Sequence, residues 1–169
     1  MSLITTDWVR MMARYNSWQN AAMARGMESL PAAALTEDRG AFFGSILATA
    51  NHLLWGDLTW LARLDGGEGP GCSAAEGLRL CPTYAAWAAE RHRVDARLTL
   101  YAKRLTRVDL EGNLQWYSGA AKAELSKPMA LILTHFFNHQ THHRGQIHAM
   151  LTAAGVTTEA TDLFLMPDL

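Results

Sequence analysis

Cysteine is scarce, with two thiols in 169 residues, and Cys72 and Cys81 bracket the segment CSAAEGLRLC instead of forming a close CxxC pair. A disulfide framework is thereby disfavoured, and both are expected as reduced thiols. An excess of charge of either sign is missing too. Fifteen basic residues stand against sixteen acidic ones, a formal net charge of −1 with a pI near 6.6. No block of like charges occurs, which argues against nucleic acid or an anionic membrane surface as partner. No apolar run approaches the roughly 20 residues that span a bilayer. The N-terminal MSLITTDWVRMM lacks a basic region followed by an uninterrupted apolar stretch, so a cytoplasmic location is the expectation. There is no low-complexity tract, no convincing internal repeat and no GxSxG elbow. The two cysteines have no adjacent base signal, so triad-type nucleophilic catalysis finds little support.

What the chain does have is apolar material, 49% of its residues, ample for a buried core in one domain spanning 1–169. The periodicity is helical. A first helix is predicted from about Thr6 to Ser29, capped by Thr5 or Thr6 and stopped by Pro31, with Trp8, Met12, Tyr15, Gln19 and Ala22 on one face. A second runs from about Gly40 to Leu64, its apolar face marked by Phe43, Leu47, Ala50, Leu54 and Leu61, and DGGEGPG ends it. Pro82 opens a third, in which Tyr84, Trp87, Arg91, Val94, Leu98 and Leu105 recur at three and four. VDLEGNLQWY then breaks the rhythm, and Gly112 with Asn113 suit the turn of a short hairpin. A fourth helix begins near Lys127 and Pro128 and ends at Gly155, a natural left-handed terminator. The tail TTEATDLFLMPDL has room for one more short helix. Four long amphipathic segments predict an all-α four-helix bundle with a short hairpin between helices 3 and 4. Cofactor sites in such bundles are built from inward side chains of neighbouring helices.

Five of the seven histidines fall in one stretch, HFFNHQTHHRGQIH, His135 to His148. Helix positions four apart point within about 40 degrees of one another. His139 and His143 form such a pair and share their face with Ile132, Phe136, Ile147 and Met150. His135 is one turn earlier on that face, whereas His148 points nearly opposite His139. Each buried neutral imidazole needs a donor and an acceptor satisfied, so gathering several is costly unless something ties up their lone pairs. A divalent cation does so: two imidazoles one turn apart chelate it with little extra ordering, and a third ligand has to come from elsewhere. Outside the cluster stand His52 and His92. His52, in ATANHLLWGD, shares its face with the small Ser45, Ala48, Thr49 and Gly56, yet it lies nearly opposite the main apolar stripe of its helix. Periodicity alone puts it at the edge of the core or outside. His92, in AERHRVD, is expected in solvent. The bland alternative is a set of surface or hydrogen-bonded histidines. HQTHH also has the ligand spacing of the HExxH zinc-protease helix, but Gln140 stands where the glutamate would be, and an amide is no general base.

NHQTHHRGQIH, together with the upstream NHLLWGD and the early YNSWQN, resembles the DinB family of bacterial damage-inducible-type proteins, also called DinB/YfiT-like metalloenzymes, in the same order over nearly the whole chain. The resemblance implies an up-down-down-up four-helix bundle, commonly dimeric, in which three histidines hold a divalent metal such as zinc or nickel and leave positions for water. Carried over position by position, it implies His52 from NHLLWGD, and His139 and His143 from HQTHH, as the metal ligands, with His135 an outer-shell or alternate ligand. Better-understood relatives include metal-dependent thiol S-transferases and a mycothiol-dependent isomerase, so the resemblance implies an enzyme more readily than it names a substrate. The similarly named DNA polymerase is unrelated, in keeping with the near-neutral charge.

On this reading three neutral imidazoles leave the ion its full charge and an open position. That suits a Lewis-acid enzyme activating water or a low-molecular-weight thiol against a small electrophile, as a thiol S-transferase or hydrolase. The rival is a metal-binding stress-response sensor or ligand-binding protein without turnover. Tyr15 is a candidate to line the cleft, a core aromatic with its hydroxyl at a rim being the simpler role. Asp57, near the apolar stripe, needs a buried partner: it orients a ligand histidine or pairs with Arg144. Gln146, on the ligand face, is expected to hydrogen-bond inside the site. Phe137 is expected on an exposed surface compatible with a homodimer.

Overall fold

The computed structural model describes residues 3–119 and 121–168. Most of the chain is helical. The long helices are α1 (Thr6–Glu28), α3 (Ile46–Asp65), α5 (Tyr84–Arg104) and α7 (Met129–Ala153); α2 (Ala32–Thr36), α4 (Ala74–Gly77) and α6 (Arg107–Glu111) are short. β1 (Asn113–Ser118) pairs antiparallel with β2 (Ala123–Pro128), Asn113 opposite Pro128, and the tail holds a 3-10 turn at Leu163–Leu165. α1 packs on α5 and α7, and α3 packs on the same two helices. Trp87, Phe136, Leu54, Leu98 and Ile147 fill the core between them. Among the described residues no helix is long and apolar enough to cross a membrane.

Three of the long helices start on a hydroxyl that accepts an otherwise orphaned backbone N–H. Thr5 accepts from Trp8 at 3.1 Å, Ser45 from Ala48 at 3.2 Å and Thr83 from Ala86 at 3.2 Å. Gly66 and Gly155, at φ 72 and 84, stop α3 and α7 in the left-handed conformation that glycine adopts without penalty, as the sequence predicts. α3, however, begins at Ile46 and not near Gly40. Gly40 and Gly44 take φ 66 and 78, which no α-helix propagates through, and Phe43 consequently stands outside the helix whose apolar face it was expected to mark.

The hairpin is present, but Gly112 and Asn113 are not its turn. Asp109 accepts the Thr106 N–H at 2.8 Å and donates its own N–H to the Thr106 hydroxyl at 3.4 Å. This capping box commits the next residues to α6, so Gly112 is extended and the turn falls between Ser118 and Ala123. Phe137 also differs from expectation. It is 2% exposed and edge-on to Trp8, 5.5 Å between ring centroids, because α7 is covered by α1 as well as by α3 and buries more than one face.

A buried polar network crosses all the long helices. Arg91 of α5 reaches Asp57 of α3 at 2.5 Å and Asp95, one turn along its own helix, at 2.8 Å. From α1, Asn20 donates to Asp95 at 2.9 Å and Asn16 at 3.5 Å. Arg144 of α7 donates to Asn16 and, at 3.2 Å, to Gln140. The buried ion-pair partner of Asp57 is therefore Arg91, not Arg144 or a histidine, because α5 brings its guanidinium against that carboxylate while α7 offers it the Gln140 amide. Burial pushes the Asp57 carboxyl up to about 6, against the opposing pull of Arg91 and Gln140. Burial likewise lowers the Arg144 guanidinium to about 10, still charged at neutral pH.

Removing one partner of such a pair strands the other charge in the core. Arg91→Met is predicted to cost about 3–5 kcal/mol in urea-induced unfolding, and adding Asp57→Asn in the same background should recover part of that loss. An Arg91→Met protein as stable as the parent would show that the network contributes little.

Candidate metal centre

His52 sits in the middle of α3, and His139 and His143 lie one turn apart on α7, where these two helices pack. The ring centroids are 5.3 Å apart for His52 and His139, 4.6 Å for His52 and His143, and 4.5 Å for His139 and His143. One ring nitrogen from each lies within 4.8 Å of the others, close enough for small ring rotations to bring all three onto a single ion at roughly 2.0–2.1 Å. Close approach of the helices depends on Gly56. A Cβ there would stand 2.9 Å from His139 Cε1, inside contact distance.

The donor set fits a cation on three further counts. His52 Nδ1 is buried with no hydrogen-bond partner among the described residues, an orphaned lone pair or N–H of the kind that a ligand satisfies. The Gln146 amide oxygen accepts from His143 Nδ1 at 2.8 Å, which keeps the proton on Nδ1 and leaves the Nε2 lone pair to bind. All three imidazoles are held neutral. Burial and the neighbouring His143 bring His52 down to about 4, burial and the surrounding histidines bring His139 down to about 3, and burial lowers His143 despite the Gln146 bond.

α3 is held in place around His52 by the cysteine loop. Asn51 donates to the carbonyls of Leu78 at 3.2 Å and Cys81 at 2.9 Å and accepts the Cys81 N–H at 3.1 Å, and Trp55 donates to the Cys72 carbonyl at 3.0 Å. Both cysteines are free. Phe43, displaced from the helix by the glycine turn, stacks on His52 with 4.1 Å between centroids. Trp60 lies 5.2 Å from the His135 ring and 5.5 Å from Trp116 of β1, and Arg63 lies 4.6 Å over Trp60.

Of the residues singled out from sequence, His52, His139, His143 and Gln146 are brought together. His135 is a neighbour, 6.0 Å from His139, outside the three-histidine group. Asp57 belongs to the polar network. Tyr15 is elsewhere: its hydroxyl donates to the Thr161 carbonyl at 2.5 Å, in a cavity lined by none of the three histidines. His92 is exposed, as expected. Helical periodicity does not mark Phe43, Gly56, Trp60, Arg63 and Trp116 as neighbours of the cluster, since their places depend on a turn, a helix crossing and a hairpin. The one available signal was Gly56 on the His52 face, a small residue inside a helix.

The molecule is thus a helical protein with three clustered imidazoles able to hold a metal ion. The model of the DinB family matches residues 1–169, and the chain belongs to that family. Protein DinB of Bacillus subtilis (strain 168) is 28% identical over 163 residues, covering 93% of this chain and 92% of its own. Among solved structures, a DinB-like protein from Bacillus cereus superposes with a TM-score of 0.62 at 17% identity, covering 85% of this chain and 90% of that one. That likeness concerns the fold.

Two measurements probe the centre. Gly56→Ala is predicted to displace the His139 ring and weaken metal binding at least tenfold in competition with a chromophoric chelator. Helical content should hold, alanine being the better helix former by about 1 kcal/mol; unchanged affinity would mean that the crossing is not tight. In metal-free protein the unfolded histidines titrate near 6.5 and the folded ones lower, so between these values the unfolded chain binds more protons and stability falls with falling pH. Denaturation midpoints followed from pH 7.5 to 4.5 should drop, and less steeply in His139→Gln.

Proposed function

We propose that this DinB-family protein is a divalent-metal-dependent enzyme that activates water or a low-molecular-weight thiol toward a small electrophilic substrate, as a thiol S-transferase or hydrolase. His52, His139 and His143 would hold the ion, with zinc or nickel the metals that suit imidazole donors. The observation that carries this reading is the convergence of three ring nitrogens from two helices within 4.8 Å, one side chain of the three having a buried nitrogen without a partner among the described residues. When bound, an ion with three neutral ligands supplies Lewis acidity, which can lower the pKa of a water from about 15.7 toward roughly 7 or favour a thiolate over its thiol.

The chain's own residues orient and enclose. Gln146 keeps His143 in one tautomer and one ring orientation. Phe43 and Trp55, whose rings stack along His52, shield that side from water. Trp60, Trp116 and His135 offer an aromatic wall to an apolar electrophile, and Arg63 adds a cation at its edge. Tyr15 and Asp57 serve structure in this scheme. The scaffold is read as one up-down-down-up four-helix domain over 1–169, acting as a homodimer in the cytoplasm. The free thiols of Cys72 and Cys81 agree with a reducing compartment.

Protein purified without nickel resin is expected to carry near-stoichiometric metal by elemental analysis. His52→Ala, His139→Ala and His143→Ala should each lose it while the helical circular dichroism persists. The loaded protein is then assayed with several bacterial thiols and electrophiles, where metal-dependent turnover is expected. Metal-bearing protein inert toward every pair points to a sensor, and a protein indifferent to added zinc or nickel removes the centre altogether.

A further inference from the structure

We propose that the protein has a second ligand site, on the side of α7 opposite the histidine cluster, which binds a small amphipathic carboxylate through Arg144. A cavity of about 620 Å³ lies between α1, the C-terminal half of α7 and the tail that follows it, within the roughly 300–1,000 Å³ of small-molecule pockets. His148 lines it and lies about 180 degrees around the helix from His139. The two sites therefore stand back to back on one helix.

The cavity is enclosed by design of the chain rather than by a loose terminus. From α1, Tyr15 donates to the Thr161 carbonyl at 2.5 Å, Gln19 donates to the Ala160 carbonyl at 3.1 Å, and Arg25 grips Glu159 through two bonds of 2.8 and 3.0 Å. These contacts fasten the tail across the opening. Met23, Leu30, Leu151 and Val156 supply apolar wall for the body of a ligand.

The guanidinium in the wall is only partly engaged. Arg25 is matched by Glu159, but Arg144, 8% exposed, has no carboxylate in ion-pair contact among the described residues. Asp57 and Asp95, the acids of the core network, are both engaged by Arg91. Both hydrogen bonds of Arg144 leave from Nη1, and its guanidinium lies over the Tyr15 ring, 5.5 Å from the centroid. The rest of the fork has no hydrogen-bond partner among the described residues. Asp57 and Asp95 act on Arg144 only at a distance, N–H groups of a buried guanidinium left without an acceptor are costly, and the planar fork matches a carboxylate in two parallel bonds.

The test is calorimetric titration of the full-length, EDTA-treated protein with octanoate, and with octanol as the uncharged control, so that the outcome does not depend on the metal centre. Octanoate is expected to bind one per chain and at least tenfold more tightly than octanol, and Arg144→Gln to weaken octanoate at least tenfold with little effect on octanol. Because Arg144 also serves the core network, Ala22→Phe provides a second variant: it fills the cavity from α1 and should abolish binding of both probes. Equal affinity for the two probes overturns the proposal, as does no binding of either. So does octanoate binding that survives Ala22→Phe, or that survives Arg144→Gln in a folded protein.

Discussion

Arg91, buried between Asp57 and Asp95, imposes the condition under which the long helices pack. Buried charges left unpaired cost several kcal/mol each, whereas apolar side chains tolerate many arrangements of similar energy. The network therefore selects one register among those that the apolar stripes alone would allow. Sliding a helix by one turn, about 5.4 Å, would separate Asp57 from Arg91 or Arg144 from Asn16. Each long helix contributes at least one member, with Asn16 and Asn20 on α1, Asp57 on α3, Arg91 and Asp95 on α5, and Gln140 and Arg144 on α7.

The same register builds the histidine cluster, because the two sets of residues alternate along the chain. Asp57 follows Gly56, Gln140 follows His139 and Arg144 follows His143. A step of one residue turns a side chain by about 100 degrees, so each pair sends one member into the network and its neighbour toward the centre. Locking the polar members thereby brings Gly56 against His139 and His52 within reach of both α7 histidines. Around the helix, the charge requirement also reverses. One side of α7 presents imidazoles kept neutral by burial, which suit a cation; another presents a buried guanidinium, which suits an anion.

How much of this was legible from residues alone varies with the range of the interaction. The start at Thr5 and the stops at Gly66 and Gly155 are local, and so is the pairing of His139 with His143, whereas the third long helix is capped by Thr83 and leaves Pro82 outside it. The edge position that periodicity gives His52 is also correct, since it is half-buried where α3 meets α7. Periodicity could not say that this edge faces two more imidazoles; the family resemblance did. Helical spacing runs on through Gly40 and Gly44, so periodicity alone misplaces Phe43, and the Thr106–Asp109 capping box moves the hairpin turn away from Gly112 and Asn113. Nothing in either helix's pattern identifies which arginine pairs with Asp57.

By itself the sequence determined the helical period, most of the ends of the long helices and a two-imidazole face on the last of them, since these follow from geometry within a few turns of backbone. Only the tertiary structure decided that Arg91 answers Asp57, that Gly56 lets the His139 ring approach α3, and that Tyr15 lies in a cavity beside Arg144. Those outcomes rest on distances between segments far apart in the chain, which helical repeat does not encode and which packing, charge pairing and a few turns settle together.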